Sequence, residues 1–201
     1  MRIACVQMEA PELADFERTF SRIQCLLGEA LQPRVDLVVF PECAWPAYFI
    51  DPDERRLLRE ALSLNERLID HIRRKAREHA SYVAFGLVEE KDGKLGNNAI
   101  LVDPSGEMVL RVSKMNLWHF DRDLYEPGQS FDVVDSPFGR IGLLICADAR
   151  LPEIARVLSV MGADLIIDPA NLTGYSFSSK GLTNPQLDFM LPARAFENGV
   201  W

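Results

Sequence analysis

The stretch "GRIGLLICADARLPE", residues 139–153, decides the fold. Its apolar run from Ile141 to Ile145 has the composition of a buried β-strand, and Cys146 stands at the end of that run. Pro152 then marks the start of a helix, because proline is favoured in the first helical turn. A strand that passes into a helix is the repeating unit of an α/β protein, and the ends of such strands are where reactive side chains gather.

The same alternation of strands and helices runs along the whole chain. Apolar or alternating segments predict strands at 2–8, 35–42, 82–90, 97–103, 108–114, 131–137, 141–145 and 164–170. Apolar residues at three- and four-residue steps predict helices over 16–30, 64–80 and 152–161. A further helix is predicted over 184–199, with an interruption near Pro192, and Val200 and Trp201 read as the start of another strand. We expect the first strand to be buried and the sheets to be mixed.

The composition is that of an ordinary soluble protein with a single domain over residues 1–201. The chain has 201 residues, of which 48% are hydrophobic and 26% charged. Its net charge of -8 argues against a nucleic-acid partner, since such binding depends on clustered Lys and Arg. No apolar run approaches the ~18 residues that span a membrane, and the N-terminus has no secretion signal. We expect a cytoplasmic protein without a membrane partner.

The four cysteines argue against a disulfide framework and against a zinc site. They stand at Cys5, Cys25, Cys43 and Cys146, widely spread and without a neighbouring histidine. We expect no metal and no cofactor, and we interpret Cys5 and Cys25 as core residues.

Three predicted strands end on reactive side chains, namely Glu42, Lys114 and Cys146. A buried carboxylate can act as a general base near neutral pH. A thiol beside such a base can be activated as a nucleophile, and an ammonium group can stabilise the oxyanion that forms. Together the three make a complete set of base, cation and nucleophile, although each one alone has an ordinary structural explanation.

Two alternatives use other residues. Cys43 is a rival nucleophile by position, but strand alternation points it away from the side of Glu42. A Cys-His hydrolase would need an imidazole base, and only His119 lies on a loop near the candidate residues, because His71 and His79 fall on a charged helix.

Five stretches, in this order, resemble the nitrilase superfamily of carbon-nitrogen hydrolases: "VVFPECAWPAY", "SKMNLW", "YEPG", "FGRIGLLICADARLPEIAR" and "ARAFENGV". The resemblance implies a four-layer α-β-β-α sandwich, a Glu-Lys-Cys triad at Glu42, Lys114 and Cys146, and no cofactor. It also implies a homodimer or higher homo-oligomer that hydrolyses a small-molecule amide, N-carbamoyl compound or nitrile through a thioester.

The resemblance also implies a fourth polar residue on the loop after the lysine, for which Asp121 is the nearest match and Glu126 the rival. The main-chain N–H of Ala147 is expected to point at the substrate oxygen. The expected substrate contacts are Ala147, Trp45, Tyr48, Trp118 and Asn171.

Chains of this family usually continue beyond the "ENGV" stretch with further strands, so we expect a second sheet that is incomplete at the C-terminus. The alternative function is a truncated or inactive member that acts only as a partner-dependent subunit.

Overall fold

Two mixed β-sheets form the centre of the computed structural model, which describes residues 1–32, 34–172 and 184–201. The first sheet has five strands in the order β1-β2-β3-β4-β5, and the second has three in the order β6-β7-β8. The strands are β1 Ile3–Cys5, β2 Leu37–Val39, β3 Tyr82–Lys91, β4 Lys94–Val102, β5 Met108–Ser113, β6 Val133–Ser136, β7 Gly139–Leu143 and β8 Leu165–Ile167.

Pairing in the first sheet follows the length of the connections. β1, β2 and β3 are parallel to one another and are joined through helices, whereas β3, β4 and β5 are antiparallel and joined by short turns. The predicted polar turns at "KDGKLG" and "PSGE" are therefore confirmed as strand connections.

The second sheet pairs β6 with β7 in antiparallel fashion and β7 with β8 in parallel fashion. The last residue extends this sheet, because the Trp201 N–H donates to Asp164 O at 2.9 Å and the Ile166 N–H donates to Trp201 O at 2.8 Å. Main-chain bonding of the strand type thus begins at Trp201, as the sequence predicted.

Helices cover the outer faces of the two sheets. They are α1 Phe16–Leu31, α2 Arg55–Leu62, α3 Asn65–His79, α4 Asp121–Leu124, α5 Pro152–Val160 and α6 Leu191–Asn198. The apolar stripe of α1 is buried at Phe20, Ile23 and Leu27, as its periodicity predicted. The four-residue α4 and the eight-residue α2 were not predicted.

Three apolar clusters separate the layers. Leu101 and Val112 of the first sheet pack with Ile141 and Ile167 of the second, in the cluster between the sheets. A second cluster joins the first sheet to α1 and α3, and a third joins the second sheet to α5. The predicted α-β-β-α order of layers is confirmed.

The prediction of a buried first strand was wrong. β1 lies at the edge of its sheet, Ile3 is 42% exposed and Cys5 is exposed, so the described residues leave one face of this strand uncovered. Cys25 is exposed as well, because it lies off the apolar stripe of α1, where its thiol donates to Glu29 at 3.1 Å. Neither Cys5 nor Cys25 is a core residue.

The last helix is irregular before Pro192 rather than at it. A π-helical turn over Gln186–Met190 leads directly into α6, and the proline lies within the first turn of α6, where a missing N–H costs least.

Candidate active site

Lys114 lies at the centre of a buried cluster of charged groups. Its Nζ is 2.6 Å from Glu42 Oε1 and 2.6 Å from Asp121 Oδ2, and the side chains of Lys114 and Glu42 are fully buried. Burial by itself lowers the pKa of Lys114, but the negative charges around it outweigh that effect and raise the pKa above its ordinary value. The lysine is therefore held as an ammonium ion between two carboxylates.

Both carboxylate oxygens of Glu42 are engaged. Asn97 Nδ2, on β4, donates to Oε1 at 2.8 Å, and the main-chain N–H of Asn171 donates to Oε2 at 3.1 Å. These contacts fix the orientation of Glu42 from β4 and from the segment that follows β8.

Gly86 of β3 lets the loop that carries Glu42 approach the sheet. A Cβ atom at this glycine would lie 2.3 Å from Pro41 O and 2.7 Å from Glu42 Cα, both of them main-chain atoms. Only glycine fits here without a shift of the backbone.

Cys146 opens a tight 3-10 turn over Cys146–Arg150 with a positive φ of 50°. This strained conformation breaks the alternation of β7, so that Ile145 and Cys146 both belong to the cluster between the sheets. Burial raises the pKa of the Cys146 thiol well above its usual range, and the charge of Glu42 raises it further, while Lys114 opposes the rise. The resting form of the residue is thus a thiol close to Glu42 and Lys114.

Side chains from two other elements hold the main chain of Cys146. Its N–H donates to Asp168 Oδ1, beyond β8, at 2.5 Å, and its carbonyl accepts from Gln186 Nε2 of the π-helical turn at 2.9 Å. Arg150 Nε donates in turn to Gln186 Oε1 at 2.8 Å.

Asp148 ties the cysteine turn to the segment that follows Lys114. Its carboxylate accepts main-chain N–H bonds from Ile145 at 3.0 Å, Met115 at 3.1 Å and Asn116 at 2.6 Å. Burial raises the pKa of Asp148, and these three bonds oppose the rise.

The structure places Asp121, and not its rival, beside Lys114. Asp121 is fully buried, and its Oδ2 also accepts the Trp118 N–H at 3.0 Å. Its Oδ1 is buried without a hydrogen-bond partner among the described residues. Glu126 instead lies near the surface, 3.3 Å from Lys94 Nζ.

The predicted substrate contacts divide into two groups. Tyr48 is buried near the cluster, where burial raises the pKa of its hydroxyl and the charges of Glu42 and Cys146 raise it further. Trp118 is partly buried, with the Arg150 guanidinium 5.3 Å from its ring. Trp45, in contrast, has the contacts of a core residue on the helical side of the first sheet.

Trp45 is fully buried and its indole N–H donates to Asn65 Oδ1 of α3 at 2.7 Å. Its ring packs edge-on against Phe16 and Phe20 of α1. Ala147 is also fully buried, and its carbonyl accepts from Asn116 Nδ2 at 2.7 Å.

The two rival residues lie elsewhere. Cys43 Sγ lies 3.9 Å from the Tyr125 hydroxyl within the core on the helical side, which agrees with the predicted alternation. His119 is exposed, and its ring lies beside those of Trp118 and Phe120.

Among the described residues, no group of three or more His, Cys, Asp or Glu side chains is arranged to hold a metal ion. Within the same part of the chain, no helix has the length and apolar character needed to cross a membrane.

Comparison with known proteins identifies the family of this chain. The family model described as carbon-nitrogen hydrolase matches residues 2–201. The chain belongs to the carbon-nitrogen hydrolase family. The resemblance drawn from the sequence is thereby confirmed, and this hydrolase has amidases and nitrilases among its relatives.

A nitrilase of Pyrococcus abyssi is 30% identical over 207 residues, which cover 100% of this hydrolase and 72% of the relative. An omega-amidase of Bos taurus is 29% identical and covers 86% of this chain and 64% of its own. A solved structure of an amidase variant from Nesterenkonia sp. AN1, with acrylamide added to its active-site cysteine, has a TM-score of 0.82 and 25% identity. The match covers 100% of this chain and 76% of the amidase.

Sequence reasoning missed four residues of the site, namely Asn97, Asp148, Asp168 and Gln186. Two of them carried a signal, because Asn97 begins a predicted apolar strand and Asp168 follows the apolar run of another, and buried polar groups of this kind need partners. Gln186 had no such signal, since it stands in a helix of mixed polarity.

Proposed function

We propose that this hydrolase cleaves the carbon-nitrogen bond of a small amide with Glu42 as general base, Cys146 as nucleophile and Lys114 as the cation that stabilises the oxyanion. The proposal depends on one observation, which is the buried Lys114 ammonium bound to Glu42 at 2.6 Å beside the thiol of Cys146. Residues 1–201 are taken as a single catalytic domain.

The first step is the activation of the thiol. Because Cys146 rests as a thiol, it needs a base at the moment of attack, and the carboxylate of Glu42 takes the proton. The sulfur then bonds to the carbonyl carbon, and the electron pair of the C=O bond moves onto the oxygen. Lys114 and the Ala147 N–H stabilise this oxyanion.

Collapse of the tetrahedral species breaks the carbon-nitrogen bond. Glu42 returns its proton to the leaving nitrogen, so that ammonia or an amine departs and a Cys146 thioester remains. Glu42 then takes a proton from a water molecule that attacks the thioester, and the carboxylic acid is released with the thiol restored. Amide and water are thus converted into acid and ammonia.

Asp121 favours an amide or N-carbamoyl substrate over a nitrile. Its buried Oδ1 is a hydrogen-bond acceptor without a partner among the described residues, and a buried acceptor of this kind gains from an N–H donor. An amide nitrogen supplies that donor and a nitrile does not. Tyr48 and Trp118 are proposed as further substrate contacts, together with the Asn171 segment. Trp45 has no contact with another described residue that supports this role.

The test is ammonia release from four substrate classes: aliphatic amides, omega-amides of dicarboxylic acids, N-carbamoyl amines and nitriles. We expect turnover of at least one of the first three classes and loss of that turnover in C146A. The acyl-enzyme should appear in the intact mass of the wild-type protein and be absent in C146A. Turnover by C146A equal to that of the wild type would contradict the proposal, and failure with every class would favour the inactive, partner-dependent alternative.

We further propose that the protein acts as a homodimer through α5 and the segment from the π-helical turn to α6. Large apolar side chains are exposed there, with Val160 79%, Phe189 64% and Phe196 91% exposed. Exposed apolar patches of this kind are typical of contact surfaces. Sedimentation should show a dimer for the wild type and a monomer for F196E, and a monomeric wild type would refute this arrangement.

A further inference from the structure

Two aspartates flank β8, and each one accepts a hydrogen bond from a main-chain N–H. Asp164 is exposed and accepts from the Arg140 N–H at 2.8 Å. Asp168 accepts from the Cys146 N–H at 2.5 Å through Oδ1, and its Oδ2 is buried without a hydrogen-bond partner in the described ranges. The Oδ2 atom of Asp168 is therefore desolvated, and its Oδ1 atom is bonded to the backbone of the proposed nucleophile.

The charges around Asp168 oppose ionisation. The negative charges of Glu42 and Asp148 disfavour the ionised form of Asp168, and a thiolate at Cys146 would do the same. The nearby cation is Lys114, which already pairs with two other carboxylates. Within the described part of the chain, a carboxylate at this position would thus lie among like charges without a cation of its own.

A second cation near Asp168, among the residues that the structure describes, comes from α6. Arg194 lines the same cavity of about 340 Å³ as Asp168, together with apolar residues that include Leu144, Ile166 and Leu191. The Arg194 guanidinium donates to Ala149 O at 3.0 Å, to Arg150 O at 3.2 Å and to Glu197 Oε1 at 2.8 Å. Its donors are therefore directed at other acceptors, and the cavity wall beside Asp168 is apolar.

We propose that Asp168 is a positioning residue that holds the main chain of Cys146 as a neutral carboxylic acid. The inference deepens the proposed function and rests on the role of Cys146 as nucleophile. One oxygen of the acid accepts the Cys146 N–H and stabilises the positive-φ turn that presents the thiol. Because the acid is protonated, it adds no negative charge beside the thiolate that forms at Cys146.

The electrostatics agree with this geometry. Burial raises the pKa of Asp168 well above its ordinary range, the charges of Glu42 and Asp148 raise it further, and the bond from the Cys146 N–H opposes the rise. The acid therefore stays neutral where an ordinary aspartate is ionised, and it ionises only as the pH rises.

The test measures the reactivity of the thiol without any substrate turnover. Acrylamide is added to the full-length wild type and to D168N, D168L and D164N between pH 6 and 9, and the rate of adduct formation at Cys146 is followed by peptide mass mapping, with C146A as the blank. D164N is the matched control, because it makes the same change at the other end of β8. Folding of each variant is checked by circular dichroism.

For D168N, we expect a rate within about threefold of the wild type at pH 6, because the amide keeps an acceptor and a neutral group. The ratio of the D168N rate to the wild-type rate should rise with pH, as the native acid ionises and opposes the thiolate. D168L should react about 10-fold more slowly or worse, because the buried Cys146 N–H loses its acceptor. D164N should match the wild type throughout.

Two results would overturn the proposal. A D168N rate about tenfold above the wild type already at pH 6 would show that the native residue carries a charge. A D168L rate equal to that of the wild type would show that the bond to Cys146 positions nothing.

Should D168L fail to fold, hydrogen exchange at the Cys146 amide decides the positioning role. The exchange should remain slow in D168N, and exchange in wild type and D168N as fast as in an unstructured peptide would refute it. Because the alkylation needs no substrate, its result is independent of the ammonia-release assay. Absence of ammonia release would contradict the proposed function, whereas the alkylation rates alone decide the role of Asp168.

Discussion

The buried cluster around Lys114 permits a demanding stability test, the substitution of Lys114 by methionine. Methionine fills a similar volume and carries no charge. In the native protein Lys114 Nζ bonds to Glu42 and Asp121 at 2.6 Å each, and all three side chains are almost or completely buried. The substitution therefore leaves two buried carboxylates without their cation.

The expected loss is large. Removal of one partner of a buried ion pair costs about 3–5 kcal/mol, because the remaining charge is left desolvated and unpaired. Here two carboxylates are left, so the upper part of that range is expected at pH 8.

The assay is urea unfolding of wild type and K114M at pH 8, with ammonia release measured in parallel. R56M is the matched control, because Arg56 lies 2.9 Å from Glu60 in an exposed ion pair, and such pairs contribute about 0–1 kcal/mol. A triple variant, K114M with E42Q and D121N, removes all the charges at once and should recover most of the lost stability without recovering activity.

Two outcomes would refute the reasoning. Equal stability of K114M and the wild type at pH 8, within about 1 kcal/mol, would mean that the cluster is open to water and not desolvated. A triple variant less stable than K114M would mean that the loss arises from poor packing of methionine and not from unpaired charge.

The remaining predictions concern the support of the site. G86A should lower stability by about 1–3 kcal/mol and reduce turnover, because the new methyl group displaces the loop of Glu42. G28A is the control, since its methyl group meets open space and should stabilise α1 by up to about 1 kcal/mol in the same unfolding assay. Equal effects of the two changes would contradict the close approach of the Glu42 loop to Gly86. N97L should lower kcat by about 10-fold and change KM less, because Glu42 loses a hydrogen bond. An unchanged kcat would argue against a role of Asn97 in orienting Glu42. D168N should raise the free energy of unfolding at pH 7 relative to the wild type. Because the pKa of Asp168 is raised in the native state, the wild type loses stability as the pH rises above the pKa of an ordinary carboxyl group, and the gain should therefore vanish near pH 4. A gain that is independent of pH would contradict this prediction.

Much of the fold could be predicted from the sequence because its apolar patterns are local. The stripe of α1 and the start of α5 at Pro152 follow from residue spacing and from turn chemistry, which act within a few residues. The pattern could not show that β1 is an edge strand, because edge position depends on which distant strands pair. The exposure of Cys5 follows from that pairing.

The candidate site divides in the same way. Glu42, Lys114 and Cys146 could be named because each follows an apolar strand and matches a family pattern, and both kinds of signal lie along the chain. The choice of Asp121 over Glu126 needed coordinates, because both stand on one loop and only the folded chain brings the first of them to Lys114.

Residue spacing and family motifs predicted all eight strands and four of the six helices of the described residues, the family, and the three residues proposed for the chemistry. How these residues are held follows from the packing of distant elements, in which Asn97 binds Glu42 and Asp168 and Gln186 bind the main chain of Cys146. The physical reason is that periodicity records which face of an element is apolar, whereas a hydrogen bond between distant residues leaves no trace in the local pattern and exists only once the layers have packed.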